Sequence, residues 1–135
     1  MEVLRIYVNV TGCHEVISEE KTVRMLTFDG TCDGPFFKGI ILPGGVDTQR
    51  DYADGTGTLS ARYMLEGTDC KGNNCRLFVE NNAKLNDYTV PSILTDSSVL
   101  KWLETANLRG RIECPDGQLT IVIVTAGNAE DTVTV

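Results

Sequence analysis

The residues with the most chemistry to offer lie between positions 35 and 82. Gly44-Gly45-Val46-Asp47-Thr48-Gln49 sets a flexible backbone directly before a carboxylate and an amide. Ser60-Ala61-Arg62-Tyr63-Met64-Leu65-Glu66 and Arg76-Leu77-Phe78-Val79-Glu80-Asn81-Asn82 follow. From these we take Asp47, Gln49, Arg62, Tyr63, Glu80 and Asn82 as candidate ligand-binding residues. A guanidinium at Arg62 would orient an anionic or carbonyl oxygen, while Asp47 or Glu80 would accept a hydrogen bond or a proton. If the Lys71-Gly72-Asn73-Asn74 turn joins the two flanking segments, Arg62 and Glu80 face each other on adjacent strands. On an outer surface that pair is a salt bridge worth at most about 1 kcal/mol. Inside a lumen, desolvation would perturb the carboxylate and allow acid–base work. Parity favours the outer surface, because Leu59, Tyr63 and Leu65 form the apolar face.

Other chemistries find no adequate residue set. Asp29-Gly30-Thr31-Cys32-Asp33-Gly34 imitates the start of a calcium loop, but its twelfth position is Ile40 where a bidentate Glu belongs. Gly55-Thr56-Gly57 precedes a strand, whereas a dinucleotide fingerprint follows one and opens a helix. Cys13 and His14 adjoin in an extended segment, so their side chains point apart and do not form a nucleophile–base pair. His14 is the sole histidine, and no Gly-x-Ser-x-Gly elbow accompanies it. The five cysteines include no CxxC pair, so neither a metal nor a cofactor is expected. Their odd number, with no basic-then-apolar leader at the N-terminus, argues for free thiols in a reducing compartment. Cys70 and Cys75 alone are spaced to meet across a hairpin.

The elements that must hold the candidates in place read almost entirely as strands. Asp-Gly pairs at 29–30, 33–34, 54–55 and 116–117, with Pro43-Gly44-Gly45 and Lys71-Gly72-Asn73-Asn74, mark chain reversals. Between them, period-two alternation places strands at about 2–11, 22–29, 35–42, 57–67, 75–82, 86–90, 106–114 and 118–126. One short helix is expected where Thr95-Asp96-Ser97-Ser98 offers caps ahead of Val99, Leu100, Trp102 and Leu103. The predicted class is all-β: a single domain over 1–135 whose mostly antiparallel strands close into a barrel of about eight. Closure removes exposed edges, with a two-sheet sandwich as the competing solution. The run at 119–124 is apolar on both faces and needs cover on its outer side.

The chain has 135 residues, enough for one core, and 19 acidic against 12 basic residues give a net charge of −7. That sign opposes phosphate, so neither nucleic acid nor an anionic membrane surface is an expected partner. The expected location is the cytoplasm.

The run Gly34-Pro35-Phe36-Phe37-Lys38-Gly39-Ile40-Ile41-Leu42-Pro43-Gly44-Gly45-Val46-Asp47, then Ala61-Arg62-Tyr63, resembles the uncharacterised protein family 0311, also called domain of unknown function 3237. Trp102-Leu103 and the closing hairpin through Asp116-Gly117 are similar too. The resemblance implies a closed, mostly antiparallel barrel, lipocalin-like or of the allene oxide cyclase type, and carries no catalytic assignment. The expected function is binding of a small organic molecule in the lumen or mouth, with weak acid–base activity of isomerase, cyclase or lyase type. The alternative is a non-catalytic barrel with a filled core that forms a homodimer or binds a partner protein.

Overall fold

The computed structural model describes residues 1–84 and 87–126. They form one antiparallel sheet of nine strands: β1 (Glu2–Ile17), β2 (Lys21–Asp33), β3 (Phe37–Ile41), β4 (Gly45–Tyr52), β5 (Gly57–Asp69), β6 (Asn74–Lys84), β7 (Val90–Thr95), β8 (Leu108–Glu113) and β9 (Thr120–Thr125). The order is β7-β6-β5-β3-β2-β1-β9-β8, with β4 also lying between β2 and β5. β3 and β4 are therefore two halves of one interrupted strand. β3 pairs with β2 at Thr31 and Cys32, and β4 with β2 from Lys21 to Phe28. The same division recurs along β5. Pro43 cannot donate to a ladder and Gly44 adopts a φ of 113°, so the chain breaks there and resumes.

β4 lies outside the strands expected from alternation, because its residues 47–51 are all polar. β1 and β2 also run on past the expected boundaries, as a long hairpin through Ser18 and Lys21. Asp29-Gly30 is not a reversal. It lies inside β2, where a Cβ on Gly30 would stand 1.9 Å from the Tyr7 carbonyl oxygen. Asp54-Gly55, Lys71-Gly72 and Asp116-Gly117 do turn the chain, each Gly at positive φ. The strand expected at 86–90 begins outside the described residues at Asn86, and β7 runs later, from Val90. The expected helix shortens to a 3-10 turn at Lys101–Glu104, and a second 3-10 turn occupies Pro115–Gly117. Cys70 and Cys75 stand as free thiols.

The two outer strands of this order meet at one bridge. Thr89 donates to the Gly110 carbonyl oxygen (3.4 Å), and Gly110 donates back to that of Thr89 (2.9 Å). Gly110 is required there, because a Cβ would lie 2.2 Å from Thr89 Oγ1.

Alternation sends Leu4, Ile6 and Val8 of β1, Phe28 and Cys32 of β2, Tyr63 and Leu65 of β5, and Leu77 and Val79 of β6 to a shared interior. One end of that interior is sealed by Phe37, Leu100 and Leu103, all at most 1% exposed. Beside them Asp69 caps the β5–β6 turn, accepting from the Lys71 N–H (2.9 Å), the Asn73 N–H (3.1 Å) and Ser97 Oγ (2.9 Å). Towards the opposite end the inward face meets solvent. Val10 (paired with Phe28) is 48% exposed there, and Ile112 (paired with Ile121) is 63% exposed.

The apolar outer side of β9 is covered from within the chain. Val122 is fully buried between Arg5 of β1 and Arg111 of β8. Glu113 joins the two, accepting from Arg5 (3.4 Å) and Arg111 (2.8 Å), while Glu2 holds Arg5 from the other side (2.8 Å). The methylene stems shield the valine, and the heads remain in water.

Two expectations follow. Gly110→Val forces a side chain into the bridge and should cost about 1–3 kcal/mol in urea unfolding, as overpacking does. Burial would raise the Asp69 carboxyl, but the hydrogen bonds from Asn73, Ser97 and Lys71 outweigh it and hold it below its ordinary value. A depressed folded value means stability that is present above the unfolded carboxyl range and lost as pH falls through the folded one. Asp69→Asn should therefore lower the urea midpoint at pH 7 and flatten its fall in acid. An unchanged acid limb would count against the carboxylate.

Candidate functional site

The six candidates divide by parity. Asp47, Gln49 and Tyr63 turn inward, whereas Arg62, Glu80 and Asn82 turn outward on the same strands. Arg62 Nε donates to Glu80 Oε2 at 2.9 Å, with the Arg62 side chain 55% exposed. Ser60 Oγ donates to Asn82 Oδ1 at 2.6 Å on that same outer face. The lumenal reading of Arg62 and Glu80 therefore fails. Each sits one residue away from an inward neighbour, Ala61 or Tyr63 and Val79 or Asn81, and a strand allows no other choice.

Inward, one rung of the sheet aligns Asp47 of β4, Ala61 of β5 and Asn81 of β6. Ala61 contributes only a methyl group between the side chains of Asp47 and Asn81. Tyr63 stands two residues along β5, its ring edge-on to Phe28 with centroids 5.5 Å apart. Three oxygens of this group, Asp47 Oδ1, Tyr63 OH and Asn81 Oδ1, are buried and have no hydrogen-bond partner. Tyr63 is 3% exposed and Asn81 4%. Leaving a buried polar atom unpaired costs about 1–3 kcal/mol, so three such atoms on one inner face call for an explanation.

A chain of side chains holds Asp47 in this state. Gln49 Nε2 donates to Asp47 Oδ2 at 2.9 Å, which occupies that oxygen and leaves Oδ1 without a partner. Arg24 of β2 donates to Gln49 Oε1 (3.4 Å), to Asp51 Oδ2 (2.6 Å) and to Glu15 Oε2 (3.1 Å). The bonds to Asp51 and Glu15 raise the Arg24 guanidinium above its ordinary value. Burial likewise pushes the Tyr63 phenol up, with the neighbouring Cys32 adding to it, so Tyr63 is a neutral hydroxyl. The Cys32 thiol, buried beside Asp33, is pushed up to about 12 and is no nucleophile at neutral pH. Among the described residues no group of three His, Cys, Asp or Glu side chains is placed to hold a metal ion.

Sequence reading missed Asn81 and Arg24. Asn81 was hidden by its neighbour Asn82, and only the inward parity of Val79 distinguishes them. Arg24 alternates with Leu26 and Phe28 on the inner side of β2, a charge in an apolar stripe that marks it in retrospect. Tyr63 enters the interior, whereas three other aromatics lie elsewhere. Phe78 pairs with Met64 on the outer face, and Phe36 packs edge-on against Trp102 at 5.3 Å.

Residues 2–86 match the model of a family described as protein of unknown function DUF3237. A UPF0311 protein of Clostridium acetobutylicum is 31% identical over 71 residues, which is 53% of this chain and 41% of that relative, so the match spans less than half of the relative's length. Among solved structures, a β-barrel-like protein from Acinetobacter baumannii superposes with a TM-score of 0.74 at 17% identity, covering 92% of both chains. A protein from Penicillium herquei, described as an enzyme, does so with a TM-score of 0.72 at 19% identity, again over 92% of each. No helix among the described residues is long and apolar enough to cross a membrane.

The inner and outer groups should respond oppositely to mutation in the unliganded protein. Tyr63→Phe removes an unpaired buried hydroxyl and should leave the melting temperature unchanged or raise stability by up to about 1 kcal/mol. Arg62→Ala loses an exposed pair and should cost less than about 1 kcal/mol. A Tyr63→Phe variant destabilised by several kcal/mol would mean that the hydroxyl is already satisfied.

Proposed function

The chain belongs to the DUF3237 family, and from that footing we propose that it is a closed β-barrel which binds a small organic molecule at the open end of its interior. The observation that carries this reading is the trio of unpartnered oxygens at Asp47, Tyr63 and Asn81. A mostly apolar recess with a few convergent polar groups is the usual form of such a site. Phe28 and Ala61 supply the apolar surface, and exposed Val10 and Ile112 rim the approach. The bridge between Thr89 and Gly110 supports closure, as does the likeness to a β-barrel-like protein.

The same groups suit a proton shift within the bound molecule. Asp47 Oδ1 takes a proton from the ligand, and the neutral Tyr63 hydroxyl donates a hydrogen bond to the oxygen that gains charge. Asp47 then returns the proton at another atom, so nothing is consumed. Gln49 and Arg24 keep the carboxylate aimed. That a structural relative is described as an enzyme supports chemistry on this scaffold. Residence in a reducing compartment, the cytoplasm, belongs to the same reading and is supported by the five free thiols.

A thermal-shift screen of uncharged small organic molecules tests the proposal. Compounds that raise the melting temperature of the parent should lose that effect in Asp47→Ala and keep it in Arg62→Ala. Equal responses from the parent and Asp47→Ala would remove the inner face from the site.

A further inference from the structure

We infer that the inner-face site selects non-anionic molecules carrying two hydrogen-bond donors, such as a cyclic diol, and discriminates against carboxylates. This rests on the reading of Asp47, Tyr63 and Asn81 as a ligand site and adds the class of ligand. The unpartnered atoms set the pattern. Asp47 Oδ1 and Asn81 Oδ1 are both acceptors, so a ligand that satisfies them must donate twice. Tyr63 OH donates or accepts and takes a third oxygen of either kind.

Register sets the spacing. Asp47 and Asn81 stand two strands apart across Ala61, roughly 10 Å at about 4.8 Å per strand. Two hydroxyls set across a six-membered ring present two donors on opposite sides of one compact apolar body.

Charge sets the exclusion. Among the described residues the one cation on the inner face is Arg24, whose Nε is engaged by Glu15 and whose Nη1 is engaged by Asp51 and Gln49. Glu15, Asp47 and Asp51 outnumber it. An anion entering the site meets three carboxylates against one guanidinium that is already paired with two of them, and loses its hydration as well.

The test is a titration of the full chain, followed by proton–nitrogen correlation spectra, with three probes: 1,4-cyclohexanediol, its dimethyl ether and 4-hydroxycyclohexanecarboxylate. The diol should shift the Ala61 and Asn81 amides saturably, with the ether and the carboxylate weaker by about tenfold or more, the usual consequence of unpaired buried acceptors. In Asp47→Asn the handicap of the carboxylate should shrink, because the repelling charge is gone while the shape remains. The ranking in the parent decides even if that variant folds poorly. A carboxylate or ether that binds as tightly as the diol at these amides overturns the ligand class and leaves the site standing. If none of the three probes moves these amides, both the class and the site are lost.

Discussion

In a pleated strand each side chain points opposite to its neighbours, and hydrogen-bonded partners across the ladder must agree. Once Leu4, Ile6 and Val8 face the interior, the pairing of β1 with β2 and β9 commits Phe28, Ile121 and Ile123 to the same side. β2 then commits β4, and β4 commits β5, so Asp47 and Gln49 turn inward because Leu26 and Phe28 do. The polar interior is thus inherited from an apolar one through register. Its members did not need to be hydrophobic, only to sit at the right count from residues that are.

That inheritance divides the interior into two halves of different character. At one end Phe37, Leu100 and Leu103 fill space, and Asp69 satisfies the donors of the turn beside them. At the other, Asp47, Tyr63 and Asn81 retain acceptors and a hydroxyl with nothing to pair with. Packing and hydrogen bonding agree in the first half and conflict in the second. Such local conflict is where function is expected to be stored, because the stability forgone is recovered when a partner arrives.

Much of the fold was legible from alternation and turn chemistry, and the reasons for the failures are local. β4 was missed because its polar run from Asp47 to Asp51 carries no apolar stripe, and its place is imposed by β2 and β5 on either side. Asp29-Gly30 looked like a turn because Gly suits turns, yet here the missing Cβ admits the Tyr7 carbonyl. Of the six candidates, Asp47, Gln49 and Tyr63 lie on the inner face, where register places them. Arg62, Glu80 and Asn82 were chosen for chemical type in a segment where parity had already sent them outward. Asn81 shares the parity of inward Val79, and Arg24 that of Leu26 and Phe28, signals that chemical type alone does not carry.

The ionic canopy over Val122 has one consequence for how this surface meets its medium. Arg5, Arg111, Glu2 and Glu113 are each about one-third exposed, so dissolved electrolyte reaches their heads and screens them. The alkyl stems over the valine carry no charge and are indifferent to that screening. A brine that weakens every pairing on this surface would still leave the roof over β9 dry, because waterproofing and charge neutralisation are done here by different parts of the same four side chains.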